Sequence, residues 1–111
     1  MENNTFKYYL QKYKNGTSQI CDGKYITVDE NEKDVVFSSD QKGLDWHRLD
    51  GPAYILFDSD GMVSTASWYI NDDIVTYKIK IWANENGIDL DNLSEVDIAL
   101  IKLTWSDYGK T

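Results

Sequence analysis

The chain has 111 residues, 41% hydrophobic and 14% aromatic, which fits one ordinary domain with a modest core and is too rich in large apolar side chains for intrinsic disorder. Nineteen acidic against eleven basic residues give a formal charge of -8 at pH 7; that charge repels a phosphate backbone, disfavours direct nucleic-acid binding and favours a protein partner with a basic surface. Cys21 is the single cysteine, so neither an intramolecular disulfide nor a thiolate zinc cluster can form, and no stretch nears the ~20 apolar residues of a membrane span.

Residues 1–14 lack the apolar stretch of a secretory signal, so a reducing cytoplasmic setting is expected. With a single proline, Pro52, and no Gly/Ser tract, no interdomain linker is expected and 1–111 reads as one domain. Its β-hairpin region spans about 1–75 and its helical region about 76–108.

Segment 6–13 reads two ways. Phe6, Tyr9, Leu10 and Tyr13 fit a helical face, whereas the tyrosine content and the following Asn15-Gly16 suggest a hairpin strand, and the strand is preferred. Turn signals recur at Asn15-Gly16, Asp22-Gly23, 29–34, Asp60-Gly61 and 71–73, spaced as in a meander. Between them, 24–28, 35–38, 53–57 and 64–70 are rich in β-branched and aromatic residues and are expected to be strands.

After Thr76 the period changes. Ile79, Trp82 and Ala83 share one face up to Gly87, which suits the residue following a helix end. A second helix begins at Ser94, whose hydroxyl can accept the orphan amide of Asp97. Val96, Ala99, Leu100 and Leu103 then recur at helical spacing, and Ile98, Ile101 and Trp105 widen the stripe, so the helix is either sandwiched between two surfaces or offers one face to a partner, burial being preferred. The expected fold is therefore α+β: an antiparallel β-meander of short hairpins followed by two C-terminal helices packed on the sheet.

No complete catalytic or metal-binding signature is present, and no cofactor is expected. His47, the only histidine, lies in Asp45-Trp46-His47-Arg48-Leu49-Asp50, where a carboxylate could orient a general base. No nucleophile accompanies it, since Cys21 lacks a local signature and no serine sits in a Gly-x-Ser-x-Gly elbow; a structural His-Arg pair holding a turn is the preferred reading. The alternating carboxylates at 29–32 and 89–92 lack the glycine and terminal glutamate of an EF-hand and read as solvated loops. Trp46, Trp68, Tyr69, Trp82 and Trp105 are more large anchors than a core of this size needs, and such residues dominate interface hot spots, with core packing the preferred reading for any one of them.

The run His47-Arg48-Leu49-Asp50-Gly51-Pro52-Ala53, with Asp60-Gly61 and then Trp68-Tyr69-Ile70-Asn71, resembles the His-Arg-x-x-Gly-Pro-Ala hairpin repeat. That repeat occurs in MORN-like repeat proteins and in small accessory proteins of T4-like bacteriophages. The resemblance covers about a quarter of the chain. It implies a strand after Gly-Pro-Ala paired with a strand ending in Trp-Tyr-x-Asn-Gly, with Trp68 packing from that opposite strand and Asp72 standing where the repeat has its last glycine. It also implies a scaffold rather than an enzyme.

Three functions follow as expectations. The first is a non-enzymatic, phage-encoded acidic module in the bacterial host cytoplasm that binds a host or phage protein, such as a defence or nucleic-acid enzyme, and modulates or inhibits it. Its contacts would be Trp46, His47, Arg48, Asp50, Trp82 and Trp105. The second is a small enzyme or ligand-binding domain centred on His47, Arg48 and Asp50. The third is a structural subunit that self-associates through Ile98, Ile101 and Trp105.

Overall fold

The computed structural model describes residues 5–21 and 23–109; Asp22, half of an expected turn, lies outside them, as do residues 1–4, 110 and 111. Helix α1 (Phe6–Lys12) comes first, followed by β1 (Gly16–Cys21), β2 (Lys24–Asp29), β3 (Asp34–Ser38), β4 (Tyr54–Phe57) and β5 (Val63–Ser67). A short ribbon of β6 (Tyr69–Ile70) and β7 (Asp73–Ile74) leads into α2 (Thr76–Glu85) and α3 (Glu95–Trp105). Strands β1 to β5 form an antiparallel sheet in sequence order, and β6 and β7 form a separate two-stranded sheet. The class is the expected α+β, a hairpin meander followed by two C-terminal helices.

The sheet gets its register from alternation. Ile26 and Val28 point inward while Tyr25, Thr27 and Asp29 do not, and pairing sets Ile26 opposite Phe37 and Val28 opposite Val35. A slip of one residue would turn this whole apolar row to solvent. The β4–β5 turn closes on Gly61 at φ +80°, with the Asp58 carboxylate accepting the amides of Asp60 and Met62. The turn after β2 is held the same way, Asp29 accepting from Asn31 and Glu32, so these acidic loops use their carboxylates as local caps.

Segment 6–13 departs from the strand expectation. It is α1, capped by the Thr5 hydroxyl accepting from the Tyr8 amide at 3.3 Å. A helix of seven residues is too short to persist alone. Its hold is the surface it covers: Phe6 lies 5.4 Å from the Phe57 ring and Tyr9 5.9 Å from the same ring, over Ile26, Val28, Val35, Phe37 and Ile55. Tertiary packing thus overrides the strand preference of the tyrosines.

The expected strand at 64–70 also divides. Ser67 supplies the last rung, its carbonyl accepting from Ala53, and Trp68 then leaves the sheet for a second cluster with Ile70, Val75, Ile79 and Ile101. Trp68 therefore packs against the helices rather than across the hairpin. Its amide donates to the Thr76 hydroxyl at 2.9 Å, which fixes the start of α2. Helices α2 and α3 pack on the small sheet around this cluster, while α1 covers the large one. The Ser94 capping box with Asp97 forms as expected, and Gly87 takes φ +67° after α2. No helix among the described residues is long and apolar enough to cross a membrane.

Candidate functional site

The loop from Trp46 to Ala53 joins the two sheets. The His47 amide donates to the Phe37 carbonyl at 3.0 Å and the Arg48 amide to the Tyr69 carbonyl at 3.1 Å, so consecutive residues tie the large sheet and the ribbon. On the ribbon side, the amide of Asp72 donates to the Trp46 carbonyl at 2.8 Å, and the Asp72 carboxylate accepts from the Trp46 amide at 3.1 Å. Asn71 and Asp72 hold φ +52° and +67°, the pair of left-handed residues that a tight hairpin turn demands. Asp72 tolerates the position usually given to glycine because its carboxylate is engaged across the joint.

His47 accepts the Asn71 amide at Nδ1, 2.8 Å away, which leaves the hydrogen of the neutral ring on Nε2. A general base needs a free lone pair, and in this tautomer the ring's lone pair is engaged by the backbone.

Arg48 is held on several sides. Its Nε donates to Asp50 Oδ1 at 2.8 Å, Nη1 donates to the Pro52 carbonyl at 3.0 Å, and Cζ stands 3.8 Å above the Phe37 ring centre. Burial alone would push the Asp50 carboxyl upward, but the Arg48 charge and its hydrogen bond outweigh that and hold it below the ordinary carboxylate range. A depressed folded-state value stabilises the fold above the unfolded value, near 3.9, and the gain disappears as pH falls through the folded value. Asp50→Asn should therefore lower stability at pH 7 by about 1 kcal/mol, as for other half-exposed pairs. In thermal unfolding the gap from the parent protein should close as the pH falls below the ordinary carboxylate range and through the lowered folded-state value of Asp50. Asp34, raised first by burial and then by the charge of Asp29, has the opposite pH dependence but is common to both proteins and cancels.

Trp46 belongs to the same joint. It stacks on Tyr54 with centroids 5.1 Å apart and planes 2° from parallel, meets Tyr69 edge-on at 4.9 Å, and donates its indole hydrogen to the Gly43 carbonyl. Trp82 and Trp105 lie elsewhere, edge to face at 6.0 Å in the second cluster. Both are half-buried, and Trp105 Nε1 is buried without an acceptor among the described residues. The six candidate residues thus fall into two groups, a joint and a helix-pair core, bridged by Leu49, which packs against the second cluster.

The structure covers one of the two apolar faces of α3. Ile101 is fully buried, with Ile98 and Trp105 half-buried on the same side, so the face expected to self-associate is turned inward. The other stripe points outward, contrary to the preferred burial: Val96 is 77% exposed, Leu103 83% and Leu100 37%. Helical periodicity finds both stripes but cannot say which one the protein covers.

A second feature escaped the sequence. Helix α1, the β1–β2 hairpin and the 47–50 loop enclose a cleft of ≈ 300 Å³. With Phe37 and Ser38 at the end of β3, its walls come from four stretches of chain, and no local motif announces them together. Compared with known proteins, the chain matches no family model, no curated protein and no solved structure.

Proposed function

We propose that this chain is a non-enzymatic acidic interaction module that docks through the outward face of α3 onto a protein whose apolar groove is rimmed by basic residues. The observation that carries this reading is a helix apolar on two opposite sides, with only one side covered. Ile98, Ile101 and Trp105 face in, while Val96, Leu100 and Leu103 face water. A surface helix normally needs one apolar stripe, and a second exposed stripe marks a contact surface. Glu95 and Asp97 flank it at the first turn in a chain of charge -8, which favours a basic rim on the partner and steers encounter. The engaged lone pair of His47 also weighs for binding over catalysis.

On the resemblance to the T4-like phage repeat, the reading extends to a phage-encoded protein acting in the bacterial cytoplasm. Its target would be a host or phage protein, such as a defence or nucleic-acid enzyme, that it modulates or inhibits.

The test is a double substitution, Val96→Lys with Leu103→Lys. At such exposed positions the change in unfolding free energy should stay within about 0.5 kcal/mol. A partner retained by the parent protein from bacterial lysate, in a salt-sensitive manner, should bind the variant at least about tenfold more weakly. Equal retention of that partner by both proteins would defeat the reading. So would a concentration-dependent dimer of the parent in light scattering that the substitutions abolish, since the occupant would then be a second copy.

A further inference from the structure

From the cleft beneath α1 we infer a binding site for a small aromatic anion of nucleoside monophosphate size, independent of the α3 face. The cleft runs against the charge of the molecule. Lys12, Lys24 and Arg48 all line it, and Asp50 is the single acid among its described lining residues, in a protein of net charge -8. Asp50 is already spent on Arg48 at 2.8 Å, so the local balance comes from the two lysines.

Each wall has a distinct use. Lys12 is set by Tyr8, whose hydroxyl accepts from its ammonium at 3.0 Å, and it lies 5.7 Å from the Tyr13 ring centre. This contact holds the lysine above its ordinary range and keeps it charged. The ammonium of Lys24, on β2, makes no hydrogen bond or ion pair among the described residues. Two cations on separate elements, one pre-positioned and one uncommitted, suit a phosphate with several acceptor oxygens. Tyr8, Tyr13 and Tyr25 provide ring surface beside them, and a nucleobase stacks on such rings with little regard to its identity. The volume of ≈ 300 Å³ stands at the small end of ligand pockets.

The global charge does not forbid this. At physiological ionic strength, charges beyond about 8 Å are largely screened, so a small anion inside the cleft responds to its immediate lysines. A polynucleotide lying over the acidic surface would not escape the repulsion.

Calorimetric titration with adenosine 5′-monophosphate tests the site, with adenosine and inorganic phosphate as separate probes. The monophosphate should bind one to one and more tightly than either half. Lys24→Ala and Tyr25→Ala should each weaken it about tenfold or more with the fold intact by circular dichroism, whereas Lys80→Ala, removing an exposed cation on α2 that does not line the cleft, should leave it unchanged. Cys21 lines the same cleft and is exposed, so the bound monophosphate should also slow its modification by a thiol reagent. Absence of binding and of Cys21 protection at millimolar ligand would overturn the inference, as would binding indifferent to Lys24→Ala. Phosphate binding as tightly as the monophosphate would remove the aromatic half of it. The Val96→Lys, Leu103→Lys protein should bind the monophosphate like the parent, which keeps this test separate from that of the α3 face.

Discussion

Trp68→Ala is expected to cost about 3–5 kcal/mol, the range for emptying a buried indole site in a packed core. Trp68 is 4% exposed, and its cluster neighbours Ile70, Val75, Ile79 and Ile101 are all at 1% or less, so little nearby could move to refill the space. Its backbone also carries the junction between sheet and helix, through Val75 donating to its carbonyl at 2.8 Å and its own amide donating to Thr76. Since a domain of this size has a total stability of about 5–15 kcal/mol, the variant should be close to its folding threshold. Urea unfolding followed by circular dichroism and by the remaining tryptophans should give one transition at a much lower midpoint. The reason for a single transition is the joint: the hydrogen bonds linking residues 46–48 to 69–72 make the ribbon part of the large sheet's support. If the sheet kept the parent midpoint while the helices melted, that coupling would be refuted.

Gly51→Ala should cost about 2–3 kcal/mol, although it adds a single methyl group. A Cβ at this position would lie 2.6 Å from Arg48 Cζ and 2.9 Å from both terminal nitrogens. An arginine tip would normally swing aside at little cost. Here it is pinned by Asp50, the Pro52 carbonyl and the Phe37 ring, so moving it releases a half-buried charge from all of them. The backbone of Gly51 is not in the left-handed region, which makes the effect steric and not conformational. A double-mutant cycle separates the two: in an Arg48→Ala background, Gly51→Ala should become nearly neutral, giving a coupling of about 1–3 kcal/mol. Additive costs would show that the guanidinium is not what the glycine accommodates.

What could be read from the sequence was local. The Ser94–Asp97 cap needs only residues three apart, and β2, β3 and β4 declare themselves by alternation or by runs of β-branched side chains. Strand β1 was not expected, because Gly16–Cys21 is an edge strand exposed along nearly its whole length and so has no apolar rhythm. Helix α1 was misread because its conformation is decided by Phe37 and Phe57, far along the chain. The joint around Trp46, His47, Arg48 and Asp50 could be foreseen as a cluster since one short loop carries it, yet its partners Tyr69, Asn71 and Asp72 required the fold. The cleft could not be foreseen at all, because Lys12 and Lys24 come to line one cavity only when α1 lies on the sheet.

That placement of α1 sets a timetable for synthesis. Phe6 and Tyr9 leave the ribosome about 50 residues ahead of Phe57, an interval on the order of 3–10 s at an elongation rate of about 5–20 residues per second. A helix of seven residues cannot wait in folded form for that long without its support. The nascent chain therefore carries its aromatic cluster in water until β4 emerges, and in that window the segment is open to holdase chaperones and to pairing with another nascent copy. Slower translation between β3 and β4 would lengthen the exposure without altering a single contact of the finished protein.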